Sequence, residues 1–152
     1  MNQKTALVIG CTGQDGSLIS RSLLTKGYKV IGTTRRKEDN KKNLFTLDIE
    51  KDIRLIETDI SSFRSCSNLI DKYFPEEIYN LAAQSSVGKS FVKPQETIDS
   101  IVTNSINLLE VTRQNRYESK LFFAGSSEMF GNTEKAADIN HSQNPISPYA
   151  IA

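Results

Sequence analysis

The sequence is poor in the residues that staple small proteins or hold metals, with two cysteines and one histidine in 152 residues. Cys11 and Cys66 lie far apart without C-x-x-C spacing, and His141 has no ligand-type neighbours at metal spacing. A disulfide framework and a zinc site are therefore not expected, and no metal is. Charge excess is also missing: 19 Lys and Arg nearly cancel 18 Asp and Glu, so no bulk field draws the chain to nucleic acid or to a membrane surface. Any charged ligand must be gripped locally. Long apolar runs are absent too. The run ending in Gly10-Cys11 extends only from Ala6 to Ile9, short of the roughly seven to fifteen residues of a signal sequence. No stretch approaches the roughly eighteen residues of a membrane span. The expectation is a soluble protein and, from its cysteine usage, a cytoplasmic one.

With 38% hydrophobic and 24% charged residues, the chain can bury an ordinary core and reads as one globular domain. Short apolar runs alternate with segments of helical period, the pattern of parallel βαβ units. Residues 5–10 read as a buried strand and 16–27 as a helix with Leu18, Leu23 and Leu24 inward and Gly27 as its stop. Residues 28–34 read as the second strand, 35–43 as a polar surface loop, and 53–59 as the third strand. A serine-capped helix is expected over 61–74, a fourth strand over 76–83, and a long helix over most of 94–115, where Ile98, Ile101, Val102, Ile106, Leu108, Leu109 and Val111 supply more than one apolar face. Residues 120–127 read as the fifth strand. After a polar connection over 132–146, Ser147 and Pro148 open another helix. The chain then ends after one turn, so the domain reads as unfinished.

Gly10, Gly13 and Gly16 lie three residues apart between the first strand and the first helix. Such glycines permit a tight turn, a close approach of backbone N–H groups to a pyrophosphate, and close helix–strand packing. The position directly after an apolar strand raises the triplet above an ordinary strand–helix turn. At the end of the second strand, where a site for NAD usually places an acid against the ribose 2′-hydroxyl, stand Arg35 and Arg36. A guanidinium binds phosphate bidentately, so NADP is favoured over NAD; a solvated basic loop is the alternative.

Ser126, Ser127 and Glu128 follow the fifth strand at the sheet edge where open α/β folds bind ligands. With Tyr149 they can form a proton-transfer group. Tyrosine, with an ordinary pKa of about 10, acts as a base near neutrality only when a cation stabilises its phenolate. A lysine four residues on would lie on the same helix face. Position 153 is past the end of this sequence, so the 152 residues alone are expected to turn over little.

The segments "ALVIGCTGQDGSLISRSLLTKGYKVIGTTRR", "EIYNLAAQSSVGKSF", "SSEMFG" and "SPYAIA" resemble the extended short-chain dehydrogenase/reductase superfamily and, within it, the GDP-mannose 4,6-dehydratase family. The resemblance implies an incomplete Rossmann-type, doubly wound parallel sheet of about five strands over residues 1–152, truncated at the helix carrying Tyr149 and lacking a C-terminal substrate domain. It implies that Gly10, Thr12, Gly13, Gln14, Asp15 and Gly16 surround the pyrophosphate, that Arg35 and Arg36 take the 2′-phosphate, and that Asp59 and Ile60 flank adenine. Leu81, Ala82, Ala83, Gln84 and Ser85 would line the ribose and nicotinamide side. Ser126 would bond the sugar O4, Tyr149 would take the O4 proton, and Glu128 would take the C5 proton. Hydride would pass from C4 to NADP and return to C6 after water is lost across C5 and C6, converting GDP-mannose to GDP-4-keto-6-deoxymannose. The resemblance also implies a homo-oligomer for the full-length family. Epimerases of the same superfamily usually have a small or apolar residue where Glu128 stands. The alternatives are an epimerase or reductase of this superfamily, or a catalytically inactive dinucleotide-binding fragment.

Overall fold

The computed structural model describes residues 3–35, 41–114 and 118–152. Ala6, Leu7, Val8 and Ile9 form an unbroken apolar run with no helical period, and they make β1 (Thr5–Ile9), a strand buried on both faces. Such double burial belongs to the centre of a parallel sheet. Around it run β2 (Lys29–Thr34), β3 (Arg54–Glu57), β4 (Glu77–Asn80) and β5 (Lys120–Phe123), in the order β3-β2-β1-β4-β5. Every pairing is parallel. Parallel neighbours need crossovers, and helices supply them.

Alternation along the strands divides the core. Leu7 and Ile9 face one cluster with Ile31, Ile70, Ile78, Leu108 and Val111. Ala6 and Val8 face the other with Leu23, Val30, Leu44 and Ile53. The first cluster is covered by α3 (Phe63–Tyr73) and α6 (Asn104–Gln114), the second by α1 (Gln14–Thr25) and α2 (Lys42–Thr46). Helices on both faces make the sheet doubly wound, as expected.

Several details differ from the sequence reading. Leu18 is exposed, because the inward stripe of α1 is Gly16, Ser20 and Leu23, and position 18 falls on roughly the opposite side of a 3.6-residue turn. The expected surface loop at 35–43 ends early: Lys42 and Asn43 begin α2, which forms because Leu44 is fully buried in the second cluster. The long helix comprises α5 (Pro94–Ile98), a π-helical turn (Asp99–Thr103) and α6; Asn115 lies outside the described residues. Of its apolar positions, Ile101, Leu108 and Val111 are buried, whereas Ile106 and Leu109 are exposed.

By compactness the chain divides into two units. One, Met1–Ala82 with Asn104–Ala124, holds the sheet and both core clusters. The other, Ala83–Thr103 with Gly125–Ala152, contains α4 (Val87–Val92), α5, the π turn, a 3-10 turn (Ser127–Phe130) and α7 (Pro148–Ile151). Within this second unit α7 packs on α4, α5 and the 3-10 turn. Lys89 and Lys93 both bond the Glu96 carboxylate, joining α4 to α5, and hold its pKa down to about 2.

At the N-terminal end of the sheet, Glu77 accepts hydrogen bonds from the phenols of Tyr79 (2.7 Å) and Tyr28 (2.9 Å). The Tyr79 bond is the main cause of a lowered Glu77 pKa, while burial and the Glu77 carboxylate push Tyr79 up to about 12. A carboxyl whose pKa is lower in the folded than in the unfolded chain stabilises the fold above the unfolded value of about 4.3, and that contribution is lost as pH falls through the folded value. Wild type should therefore melt above Glu77→Gln at pH 7, with the gap closing below about pH 4. Melting curves of both proteins across pH 3–7 check this; a gap that does not change with pH would exclude the carboxylate as its source.

Candidate active site

The glycine loop lies at the point where the strand order reverses. β1 pairs with β2 on one side and β4 on the other, so the chains leaving β1 and β4 diverge there, which is where open α/β sheets bind ligands. Gly10 has φ +80°, a conformation favouring glycine, and a Cβ on it would lie 3.1 Å from the Ala82 Cα and N. The Leu81 N–H donates to Ile9 O at 3.1 Å. Thus Gly10, Leu81 and Ala82 meet as backbone against backbone, and glycine at position 10 lets the loop pass close to the chain leaving β4.

Ser62, Ser86 and Ser147 cap α3, α4 and α7 through their hydroxyls. Gly13, the N-cap of α1, provides no side-chain cap. Helix-terminal N–H groups without a protein acceptor suit an anion. Gly13, Gln14 and Asp15 are exposed there and Gly16 is buried beneath them. Thr12 is half-buried, and its carbonyl accepts from the Asn43 amide at 3.0 Å. The sequence reading missed this support from α2, since an asparagine inside a polar run carries no distinguishing signal. Cys11, in the middle of the loop, is buried with its thiol directed at Thr33 O, and burial pushes its pKa up to about 12. It fills space and is no nucleophile at neutral pH.

Arg35 is exposed immediately beyond β2. Arg36 lies outside the described residues. Asp59, beyond β3, is exposed and its Oδ1 accepts from the Ser61 N–H at 3.0 Å, whereas Ile60 is buried in the first core cluster. All of these belong to the sheet unit.

The remaining predicted residues belong to the second unit. Ala83 and Ser85 are exposed, and Gln84 is buried. The Gln84 amide is fully engaged: Nε2 donates to Ser86 O and to Thr97 Oγ1, each at 3.0 Å, and Oε1 accepts from the Ser86 N–H at 2.7 Å. Its side chain braces the loop ahead of α4, which leaves the backbone as its means of touching a ligand. The signal for such bracing is burial of a polar residue, which the sequence does not display.

Ser126 caps the 3-10 turn, with Oγ accepting from the Glu128 N–H at 3.2 Å. The Glu128 carboxylate is exposed and has no hydrogen bond or ion pair among the described residues. Tyr149 is half-buried in the first turn of α7, which Ser147 fixes by accepting from the Ala150 N–H at 3.0 Å. Because α7 packs on the 3-10 turn, Ser126, Glu128 and Tyr149 come from two touching elements. A hydroxyl, a carboxylate and a phenol are the kinds of group that take part in proton transfer. Gly131 (φ +64°) closes the turn, and the Asn144 N–H donates to Met129 O at 3.0 Å, pinning the polar connection back onto it.

No helix among the described residues is long and apolar enough to cross a membrane. The same residues contain no group of three or more His, Cys, Asp or Glu able to hold a metal ion.

The family model for GDP-mannose 4,6 dehydratase matches residues 7–152. The chain is 39% identical to GDP-mannose 4,6 dehydratase 1 of Arabidopsis thaliana over 99% of its own length and 45% of that protein's. It is 34% identical to GDP-mannose 4,6-dehydratase of Vibrio cholerae serotype O1 over 100% of its own length and 43% of that relative's. It therefore spans under half the length of these curated relatives. Among solved structures it is similar to the UDP-glucose 4-epimerase of Thermus thermophilus in complex with NAD, with TM-score 0.85 and 26% identity over 97% of this chain and 46% of that one. With its glycine loop at the switch point of a 3-2-1-4-5 sheet, and a family match that runs almost end to end, the chain belongs to the GDP-mannose 4,6-dehydratase family.

Proposed function

We propose that the chain is the NADP-binding part of a nucleotide-sugar 4,6-dehydratase acting on GDP-mannose. The observation that carries this reading is Glu128: a carboxylate with no partner among the described residues, in a turn packed against the helix of Tyr149. An epimerase that inverts C4 by turning over a 4-keto sugar has no need of a C5 base, whereas a dehydratase has to remove the C5 proton.

The residues present fit a dinucleotide. The N-terminus of α1, which no side chain caps and which follows a glycine turn, suits a pyrophosphate. Arg35, with Arg36 next in sequence, suits a 2′-phosphate, and no acid stands at the tip of β2 to favour NAD. Bound NADP would supply a hydride acceptor and donor. On this reading Ser126 and Tyr149 bind the sugar O4, and Tyr149 takes its proton. The ketone then at C4 acidifies the C5 proton, which Glu128 removes and passes to the departing C6 hydroxyl as water is lost. Two buried, free thiols fit a reducing, cytoplasmic setting.

A full-length version carrying these residues, incubated with NADP and GDP-mannose, is expected to give GDP-4-keto-6-deoxymannose, detectable by mass spectrometry as loss of one water. A C4-epimerised sugar in its place would move the protein to the epimerases, and no change in the substrate would sink both readings.

A further inference from the structure

None of the four residues of the 3-10 turn is buried, so core packing does not fix the direction in which Glu128 points. A lone 3-10 turn, with its poor hydrogen-bond geometry, does not hold itself either. Its internal bonds run from Met129 N–H to Ser126 O at 3.2 Å and from Gly131 N–H to Glu128 O at 3.1 Å. The Met129 carbonyl is left for a partner from outside, and the chain returns to supply one: Asn144 N–H donates to it at 3.0 Å. Gly131 makes room for this return, since at φ +64° it has no Cβ, and one placed there would collide with Asn144 O. Beside this bond the His141 ring meets Phe130 edge-on, with centroids 5.9 Å apart and planes at 88°, an arrangement that aromatic pairs favour. His141 is set in turn by its N–H donating to Asp138 O at 3.1 Å, while Asn140 N–H donates to Asp138 Oδ1 at 2.8 Å. The segment Asp138–Asn144, polar and without regular structure, is thus clasped onto the turn, all within the second unit.

We infer that His141 is a positioning residue for removal of the C5 proton: its ring on Phe130, together with the Asn144 N–H on Met129, holds the turn so that Glu128 stays aimed at the substrate. This role rests on the dehydratase reading proposed above. His141 itself touches no substrate and carries no proton in the reaction. Without the ring the turn is tied at Met129 alone, and the fraction of complexes in which the carboxylate stands ready at C5 falls.

In a full-length version, His141→Ala should lower kcat for dehydration of GDP-mannose roughly threefold to tenfold, the factor that matches loss of one aromatic pair. KM and NADP affinity should not move, and His141→Phe, which keeps a ring, should restore most of the rate. The deciding arm repeats His141→Ala in a Glu128→Gln background, where no carboxylate remains to be aimed: there the substitution should cost nothing further. A merely structural contact would lower the residual rate by the same factor in both backgrounds. Hydrogen exchange gives a readout apart from activity: the Gly131 and Asn144 amides should lose protection together in His141→Ala, while the amides of β1 keep theirs. His141 is exposed, so the variant should fold; should it not, His141→Gln, polar and without an aromatic ring, carries the same cycle. A wild-type rate in the variant, equal losses with and without Glu128, or no rescue by phenylalanine overturns the role of His141 and leaves the dehydratase reading standing. A wild-type enzyme that forms no dehydrated product overturns that reading and this role with it.

Discussion

Glu128→Gln in a full-length version is expected to slow dehydration of GDP-mannose by between about a hundredfold and ten-thousandfold, the range lost with a general base. Glutamine has nearly the same shape and can still accept a hydrogen bond, but it cannot take the C5 proton. The substitution isolates chemistry from folding because the carboxylate has no hydrogen bond or ion pair among the described residues. The Ser126 cap is made to the Glu128 backbone N–H and survives the change. The melting temperature should therefore stay within the range of ordinary surface substitutions, about 0.5 kcal/mol in stability, and NADP affinity should be unaltered. Single-turnover kinetics monitoring product together with solvent deuterium uptake at C5 reads the effect. An unchanged rate would assign Glu128 a structural place in the turn and the removal of the C5 proton to another group.

Gly16→Ala is expected to have the largest effect on the fold. A Cβ at this position would lie 2.2 Å from Gly10 O, 2.8 Å from Cys11 Cα and 2.9 Å from Gly10 C. All three are backbone atoms, so no flexible side chain can yield; either α1 backs away from the loop or the loop opens. Overpacking of this kind costs about 1–3 kcal/mol, or roughly 5–10 °C of melting temperature at the upper end for a chain of this size. The same displacement spoils the approach of the loop to a pyrophosphate, and NADP affinity should fall at least about a hundredfold, equivalent to two or more phosphate hydrogen bonds. Gly88 in α4 is the control: nothing lies within 4 Å of its would-be Cβ, and Gly88→Ala should be neutral or slightly stabilising. Calorimetric melting with and without NADP measures both. If Gly16→Ala melted and bound like wild type, the tight crossing of loop and helix would be wrong.

The features legible in the sequence are those that follow from one residue type in one local context. β1 is readable because Ala6 to Ile9 are continuously apolar, as burial on both faces demands. Ser62 and Ser147 announce their helices because a hydroxyl at the N-cap satisfies a backbone donor wherever the helix goes. Strand ends are easily overread: β5 stops at Phe123 although the apolar and small residues continue, because ladder hydrogen bonds and not hydrophobicity close a strand. α2 is hidden because a single buried residue, Leu44, anchors it within a polar run. The π turn at Asp99–Thr103 leaves no mark on a periodicity search, yet it shifts the phase of the residues that follow. For the site, the chemistry-bearing side chains are legible by type and position, whereas those that hold them are not. Gln84 bracing its own loop, Asn43 holding Thr12 and Asn107 holding Ile60 are all amides whose roles depend on distant backbone or side-chain partners. Only tertiary structure brings those partners together.

The central claim is that this chain binds NADP through its glycine loop and selects it by the arginines beyond β2. Isothermal titration of the purified chain with NADP and with NAD tests it most directly, alongside Arg35→Ala. A charge-assisted, bidentate contact to the 2′-phosphate predicts NADP tighter than NAD by about tenfold to a hundredfold, with Arg35→Ala losing most of that preference and keeping its affinity for NAD. Equal affinities for the two nucleotides in the wild-type chain, or no heat of binding with either, would contradict it.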